Sequence, residues 1–350
     1  MVRLQDIANR SGVSLKTVSN VVNNYPHVSE RMREKVNRAI AELGYVPDES
    51  ARRLAKGKDS VTGRSCPPLR LRIGVLTRPG INKYDDPFHC RVLTGIESEL
   101  RETQNIMAFS QVYSAFIDDP LGCNYQLAAE HLDGLITFVW HDEVRAFFRE
   151  RLGENFPVFS VNHIPYCDSL KIDMGRAIAD EFDHLLSLGH RKIGFIGVTG
   201  NWFDVPDARY TAFRQELQSR QLPVNPEWYP SGGSYLISDS GYRLARKLLQ
   251  CSELPTALIC ANDMLAIGAM KALHEKKMPL PEAMSLIGFD NIPLSSMVHP
   301  ALTTTDVDQI EMGRIAVRKL IERIYQPELP VRVFEVASRL LIRESAARYR

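Results

Sequence analysis

The chain has 350 residues, 44% hydrophobic and 24% charged, which is the composition of a globular protein too long for one ordinary core. No apolar run reaches the roughly 18 residues that a membrane helix requires, and the opening stretch MVRLQDIANRSGVS lacks a secretory apolar segment, so a soluble cytoplasmic protein is expected. The net charge of +1 hides an asymmetry: residues 1–70 hold 13 Lys/Arg against 7 Asp/Glu, a basic head on a mildly acidic body. Such a head fits a module that binds a polyanion, and equally a solvated charged surface.

Three short helices are expected in the head. Leu4, Ile7 and Ala8 share one helical face, and Gly12 makes a tight turn after it. Ser14 can cap a second helix, in which Val18, Val21 and Val22 repeat at i, i+3, i+4. Asn23-Asn24-Tyr25-Pro26 breaks that helix. Ser29 caps a third, with Val36, Ile40 and Leu43 on its buried stripe and Gly44 as its stop. The first two helices across a Gly turn form a helix-turn-helix, whose second helix enters a DNA major groove. Leu15, Lys16 and Asn20 fall on the exposed side of that helix. Lys16 can reach guanine acceptors and Asn20 can pair with adenine or bridge to phosphate. The hydroxyls of Ser14, Thr17 and Ser19 suit phosphate or backbone contacts. Read alone, Lys16 and Asn20 could equally be solvated.

Residues 56–68 are polar, bear Gly and Pro, and have no period, so a flexible linker is expected. From residue 71 β-rich runs alternate with helical stretches. Strands are expected over 71–77, 105–113, 134–140, 156–162, 191–198, 255–262 and 284–290, with a further strand region near the C-terminus. Continuous apolar strands alternating with helices predict parallel sheets covered on both faces, here as two α/β lobes. Ligands of such sheets sit beyond the carboxyl ends of the strands. The residues there are Asp86 and Phe88, Phe138 and Trp140, Asn162, Arg209, Asn262 with Asp263, and Asp290. Amides and carboxylates that pair with hydroxyls, an arginine, and aromatic faces make a coherent set for a sugar. Each has a structural alternative: Asn262 or Asp263 could cap the next helix, Phe88 could be core, and Arg209 could pair with Asp207 on the surface. Cys66, Cys90, Cys123, Cys167, Cys251 and Cys260 have no C-x-x-C spacing, so reduced thiols and no metal site are expected.

The run from Ile7 to Leu54 contains IANRSGVSLKTVSNVVN, VSERMREKV and AELGYVPDESARRL. It resembles the N-terminal module of the lac repressor (LacI/GalR) family. The body resembles that family's periplasmic-binding-protein-like sensor through DPF, LGHRKIGFIG, DARYTAF, PTALICANDMLAIGAM and SLIGFDNIP followed by HPALTTT. The resemblance implies an all-α helix-turn-helix DNA-binding domain (1–46), a hinge helix (47–57), a linker (58–70), and an effector-binding and dimerisation domain (71–350). It implies three crossings between doubly wound lobes, placed near 162, 290 and 325. Lobe 1 then takes 71–162 and 291–324, and lobe 2 takes 163–290 and 325–350.

In the hinge the resemblance makes Leu54 a wedge in the operator minor groove, flanked by Ser50, Arg52 and Arg53 as DNA contacts; the alternative is a leucine packed in a linker. It makes Arg209, Asp290 and Asn262 effector ligands, beside Asp86, Phe88, Phe138, Trp140, Asn162 and Tyr235. The implied partners are double-stranded operator DNA, a small-molecule effector of the sugar class and a second copy of the chain, with no cofactor. Val92, Leu93, Ile96 and Leu100 could serve as core or as dimer interface.

Three positions depart from the family pattern. Arg3 replaces a capping Thr, Asn20 replaces a common Arg, and Asn162 replaces a common Asp. A nucleotide-dependent enzyme is disfavoured because the glycines of 194–200 have neither G-x-G-x-x-G nor P-loop spacing. A transport binding protein is disfavoured by the attached head. A purine, a phosphosugar or no effector at all remain alternatives to a sugar.

Overall fold

The computed structural model describes residues 4–22, 28–43, 70–78, 86–118, 122, 126–127, 132–197, 201–202, 205–230 and 237–349. The chain divides into two units, Met1–Leu71 and Arg72–Arg350. In the first unit, α1 (Leu4–Ser11), α2 (Leu15–Val22) and α3 (Glu30–Leu43) enclose a small core of Ile7, Ala8, Val18, Val21, Val36 and Ala39. Gly12, at φ 65°, turns the chain between α1 and α2, and its N–H and that of Val13 both donate to Ala8 O. A side chain at that backbone angle would be strained. Ile40 and Leu43, expected on the buried stripe of α3, are half-buried; Ala39 takes the enclosed place beside Val36.

The second unit opens with β1 (Arg72–Thr77), α4 (Pro87–Glu102), β2 (Ile106–Val112), α5 (Tyr113–Asp118), β3 (Gly134–Thr137), α6 (Asp142–Leu152), β4 (Val158–Ser160) and β5 (Asp168–Ile172). It continues with α7 (Met174–Ser187), β6 (Ile193–Ile196), β7 (Asn201–Trp202), β8 (Val205–Pro206), α8 (Ala208–Ser219), α9 (Ser238–Leu248), β9 (Ala257–Cys260), α10 (Asp263–Glu275) and β10 (Ser285–Asp290). It closes with β11 (Thr303–Val307), α11 (Gln309–Tyr325), β12 (Val333–Val336) and β13 (Ser338–Leu341). Two sheets result. Lobe 1 carries the order β12-β5-β4-β3-β1-β2, parallel throughout. Lobe 2 carries β13-β11-β10-β9-β6, parallel except for β13. Strands such as Ala257–Cys260 are buried along their whole length because helices cover both faces. No helix among the described residues is long and apolar enough to cross a membrane.

The crossings fall later than expected. Lobe 1 keeps β5, and the chain leaves it at Asp173. It returns at Asp308 after β11, and leaves again at Ala337 between β12 and β13. The expected positions near 162, 290 and 325 are therefore corrected, and the C-terminal strand region is divided between the lobes. The cause is β5. It opens with Asp168 and Ser169, which are polar yet buried. Asp168 is neutralised by Arg323 of α11 at 2.7 Å and by Arg332 at 3.1 Å, so a residue that reads as surface becomes the clamp joining β5, α11 and β12. Asp173 and Asp308 each cap the helix that follows, accepting from Arg176 N and Glu311 N at 3.0 Å.

The choice left open for Val92, Leu93, Ile96 and Leu100 resolves to core: all four are buried within the chain, where α4 lies against α11.

Candidate DNA-reading helix and interlobe ligand site

In the first unit, Ser14 Oγ accepts from Thr17 N at 3.1 Å and lies 2.8 Å from Thr17 Oγ1, so both hydroxyls are engaged in the cap of α2. Leu15 is 46% exposed and Lys16 is also exposed, while Val18 faces the core. Ser19 and Asn20 are half-buried. The first turn of α2 thus presents an apolar and a cationic side chain side by side. Arg3, Asn23–Pro26, Gly44 and the hinge residues Ser50, Arg52, Arg53 and Leu54 lie outside the described residues.

In the second unit, the carboxyl edges of the two sheets approach each other. Arg78 and Asp86 of lobe 1 lie within electrostatic reach of Arg209, Asp207 and Asp290 of lobe 2. Phe88, at the start of α4, packs with Ile172 and Met174 on Ala177, Phe289 and Val307, an apolar contact across the hinge. Arg209, on the first turn of α8, is held rigidly. It makes hydrogen bonds to Asp207 through Nε at 3.2 Å and Nη2 at 2.9 Å, and to Ala261 O through Nη1 at 2.8 Å. Asp207 also caps α8. Burial opposes its charge, but Arg209 and these hydrogen bonds hold its carboxyl below the ordinary range. For Arg209 burial acts against the charge and Asp207 with Asp290 outweighs it, so the guanidinium stays firmly protonated.

Asp290, at the end of β10, is 6% exposed, and its backbone and that of Asn291 have φ of 99° and 52°. Two consecutive non-glycine residues at positive φ store strain where a strand meets a ligand edge, as functional sites often do. Burial drives the Asp290 carboxyl well above the ordinary range, with Arg209 pulling the other way. Its carbonyl accepts from Gln309 Nε2, while Gln309 Oε1 accepts from Arg91 Nε at 2.8 Å. Gln309 therefore ties α4 of lobe 1 to the strained end of β10 in lobe 2.

The sequence-predicted residues divide into three groups. Arg209, Asp290 and Asn162 lie at the facing edges. Asn162 is exposed and bridges two strand ends, donating from Nδ2 to Phe138 O at 2.8 Å. Four others serve the edge from behind. Asn262 Oδ1 accepts from Leu265 N at 2.9 Å and caps α10, which settles the alternative left open there. Asp86 accepts from Phe88 N, His89 N and His89 Nδ1, so its oxygens fix the start of α4. Phe138 is 2% exposed and its ring lies 4.6 Å from that of His89, so it backs the site rather than offering a free face. Phe88 belongs to the hinge cluster already described. Trp140 is a correction: it is 7% exposed, stacks on Phe148 with centroids 5.9 Å apart, and lines a partly open cavity of about 40 Å³ on lobe 1. Apolar neighbours on α6 and β4 draw it into the core. Tyr235 lies outside the described residues.

Sequence reasoning missed His89, Arg78 and Gln309. His89 is 3% exposed, its Nδ1 lies 2.6 Å from Asp86 Oδ2, and its Nε2 is buried with no hydrogen-bond partner among the described residues. A single histidine after DPF carries no spacing signal. Only its enclosure by Asp86 and Phe138 marks it.

Comparison with known proteins places this geometry. Residues 3–48 match the model of bacterial regulatory proteins of the lacI family, and residues 182–346 match a periplasmic binding protein-like domain. The chain is 30% identical over 364 aligned positions to the HTH-type transcriptional repressor PurR of Haemophilus influenzae, covering 99% of this chain and 98% of that one. It is 29% identical to the ribose operon repressor of the same organism, with coverage of 99% and 98%. Among solved structures it is similar to the lac repressor dimer bound to operator and the anti-inducer ONPF, at 25% identity, TM-score 0.77 and 99% coverage of both chains. The chain belongs to the lacI family of bacterial regulatory proteins, and is a DNA-binding transcriptional regulator rather than an enzyme.

Proposed function

We propose that the chain is a repressor whose affinity for a near-palindromic operator is set by a small sugar-class molecule bound between its two lobes. The carrying observation is the interlobe edge itself. There Arg209 is held by Asp207 and Ala261 O, Asp290 sits on strained backbone, and Asn162 and His89 bring further polar groups. Such convergent polar groups between domains are what a polar ligand needs. The chain works as a homodimer in the cytoplasm, one α2 reading each half-site. Residues 47–57 act as the hinge that places Leu54 in the minor groove. Lys16, Asn20 and Leu15 read bases, and Ser14, Thr17 and Ser19 position the helix.

The ligand acts by favouring one arrangement of the lobes. Gln309 is the element that feels it, because it is bonded to both. A ligand shifts the equilibrium only by its differential affinity for the two arrangements.

Arg209→Met tests the reading. It removes a guanidinium whose partners remain buried, and a charged group lost from such a network costs about 1.5–3 kcal/mol of ligand binding, or roughly ten- to a hundredfold. Fluorescence anisotropy on an operator selected from a random library is expected to show wild-type operator binding and no ligand response. A variant that still releases operator at the wild-type ligand concentration sinks the site assignment.

A further inference from the structure

Two buried polar atoms at the carboxyl edge of lobe 1 have no hydrogen-bond partner among the described residues. One is Nε2 of His89, which is 3% exposed. The other is Oγ1 of Thr77, the 1% exposed residue that ends β1. Buried polar groups are nearly always paired, so two orphans at a ligand edge require an explanation. The end of β3 brings them together with a third group. Phe138 N donates to Leu76 O at 2.9 Å, one residue before Thr77, and the Phe138 ring lies 4.6 Å from that of His89. Phe138 O takes the Asn162 Nδ2 proton at 2.8 Å, so the Asn162 side chain has its Oδ1 left to accept.

The tautomer of His89 follows from Asp86. Burial opposes the Asp86 charge, but His89 and the backbone N–H groups of His89 and Phe88 hold its carboxyl below the ordinary range, so it is an acceptor only. His89 Nδ1, 2.6 Å away, is therefore the donor, and Nε2 of the neutral ring is an acceptor. Lobe 1 thus presents two acceptors, His89 Nε2 and Asn162 Oδ1, beside a threonine hydroxyl that pairs either way.

Across the gap, Arg209 uses Nε, Nη1 and Nη2 once each on Asp207 and Ala261 O, which leaves a second N–H on both Nη1 and Nη2. One side therefore asks for donors and the other for acceptors. Charge is already settled within the chain, because Arg78 and Arg209 have Asp86 and Asp207 beside them. A hydroxyl donates and accepts at once, whereas an ionised phosphate oxygen only accepts and leaves both lobe 1 acceptors unmet.

We propose that lobe 1 selects a neutral polyhydroxyl effector, whose hydroxyls donate to His89 Nε2 and Asn162 Oδ1 and pair with Thr77 Oγ1. This rests on the interlobe gap being the effector site. Asp86 is a positioning residue in it, since its bond to Nδ1 is what turns Nε2 into an acceptor.

The test is thermal shift and calorimetric titration of the full chain with neutral aldoses and disaccharides, guanine and hypoxanthine, and glucose 6-phosphate and ribose 5-phosphate. A neutral sugar is expected to shift the melting curve most. Deoxy and deoxyfluoro analogues of that sugar then locate the donor, because fluorine cannot donate. At one ring position the loss is expected to reach about tenfold in the wild type, the scale of one buried hydrogen bond, and to vanish in His89→Asn. Asparagine keeps an N–H for Asp86 but has no acceptor where Nε2 stood. His89→Gln restores an acceptor there and is expected to recover part of the selectivity. Thr77→Val is expected to weaken the parent sugar by a similar factor, with ligand-free melting curves confirming that each variant folds. A purine base or a phosphate binding most tightly, no sugar shifting the curve, or a hydroxyl scan unchanged by His89→Asn each overturn the proposal. Binding lost in Arg209→Met yet indifferent to His89→Asn would sink the hydroxyl assignment and leave the site standing. Binding indifferent to both would sink the site itself.

Discussion

Asp263 shows most plainly how burial sets chemistry here. Its carboxylate is fully enclosed under β10, taking Thr304 Oγ1 at 2.6 Å and Ile292 N at 2.8 Å. Burial outweighs those two bonds and raises its pKa from 3.8 to about 7. The folded state thus binds a proton more tightly than the unfolded chain does. The associated stability is present in full below the unfolded pKa and is lost as pH rises through about 7. Burial moves Glu181 and Asp290 in the same direction, so they add to the effect. Asp86 and Asp207 are held below the ordinary range and act only at more acid pH. The melting temperature of the body is therefore expected to fall between about pH 5 and pH 8, and Asp263→Asn to flatten the fall. A wild-type profile that is level or rising across that window contradicts this reading of lobe 2.

Among the elements, each lobe joins one helix pair through facing glycines. In lobe 1, a Cβ on Gly95 of α4 would stand 2.0 Å from Ile310 O, and one on Gly313 of α11 would stand 2.2 Å from Val92 O. In lobe 2, Gly241 of α9 and Gly268 of α10 approach Leu265 O and Ser238 O at 2.1 and 1.9 Å. Glycine in a helix interior loses roughly 0.5–1 kcal/mol relative to Ala, and here it permits backbone contact that no other residue allows. Gly95→Ala is expected to force α4 from α11 and cost about 1–3 kcal/mol, read as a lower urea midpoint. An unchanged midpoint would mean that the pair is looser than its geometry.

The helices and strands with a clean period could be read before folding. The stripe Val18 and Val21, and the apolar runs of β1, β3, β9 and β10, announce their burial directly. β5 could not be read in that way, because Asp168 is made compatible with burial only by Arg323 and Arg332, which arrive from far along the chain. The candidate site divides similarly. Arg209 and Asp290 sit at strand ends and helix starts that the alternating pattern predicts, whereas the enclosure of His89 depends on Asp86 and Phe138 meeting it within lobe 1, and the approach of Arg78 to Arg209 depends on where the other lobe comes to rest.

At the scale of the molecule, two lobes are joined by three crossings at Asp173, Asp308 and Ala337. Asp173 and Asp308 are helix caps, so the chain passes between lobes at stiff helix starts, with Gln309 directly after the second. A ligand that draws the sheet edges together loads that residue through Asp290 and Arg91. The crossings expected near 162, 290 and 325 would have put β11 in lobe 1, whereas it pairs with β10 and β13 in lobe 2.

Linkage makes the central claim measurable in one protein. A ligand that weakens operator binding by some factor must itself be bound more weakly, by the same factor, when operator is present. The decisive measurement is therefore the operator dissociation constant of the wild-type chain at zero and at saturating effector. A change of roughly 5–150-fold is predicted, the range of coupled sites. Equal constants under the two conditions, with ligand shown to occupy the interlobe site, would contradict the account.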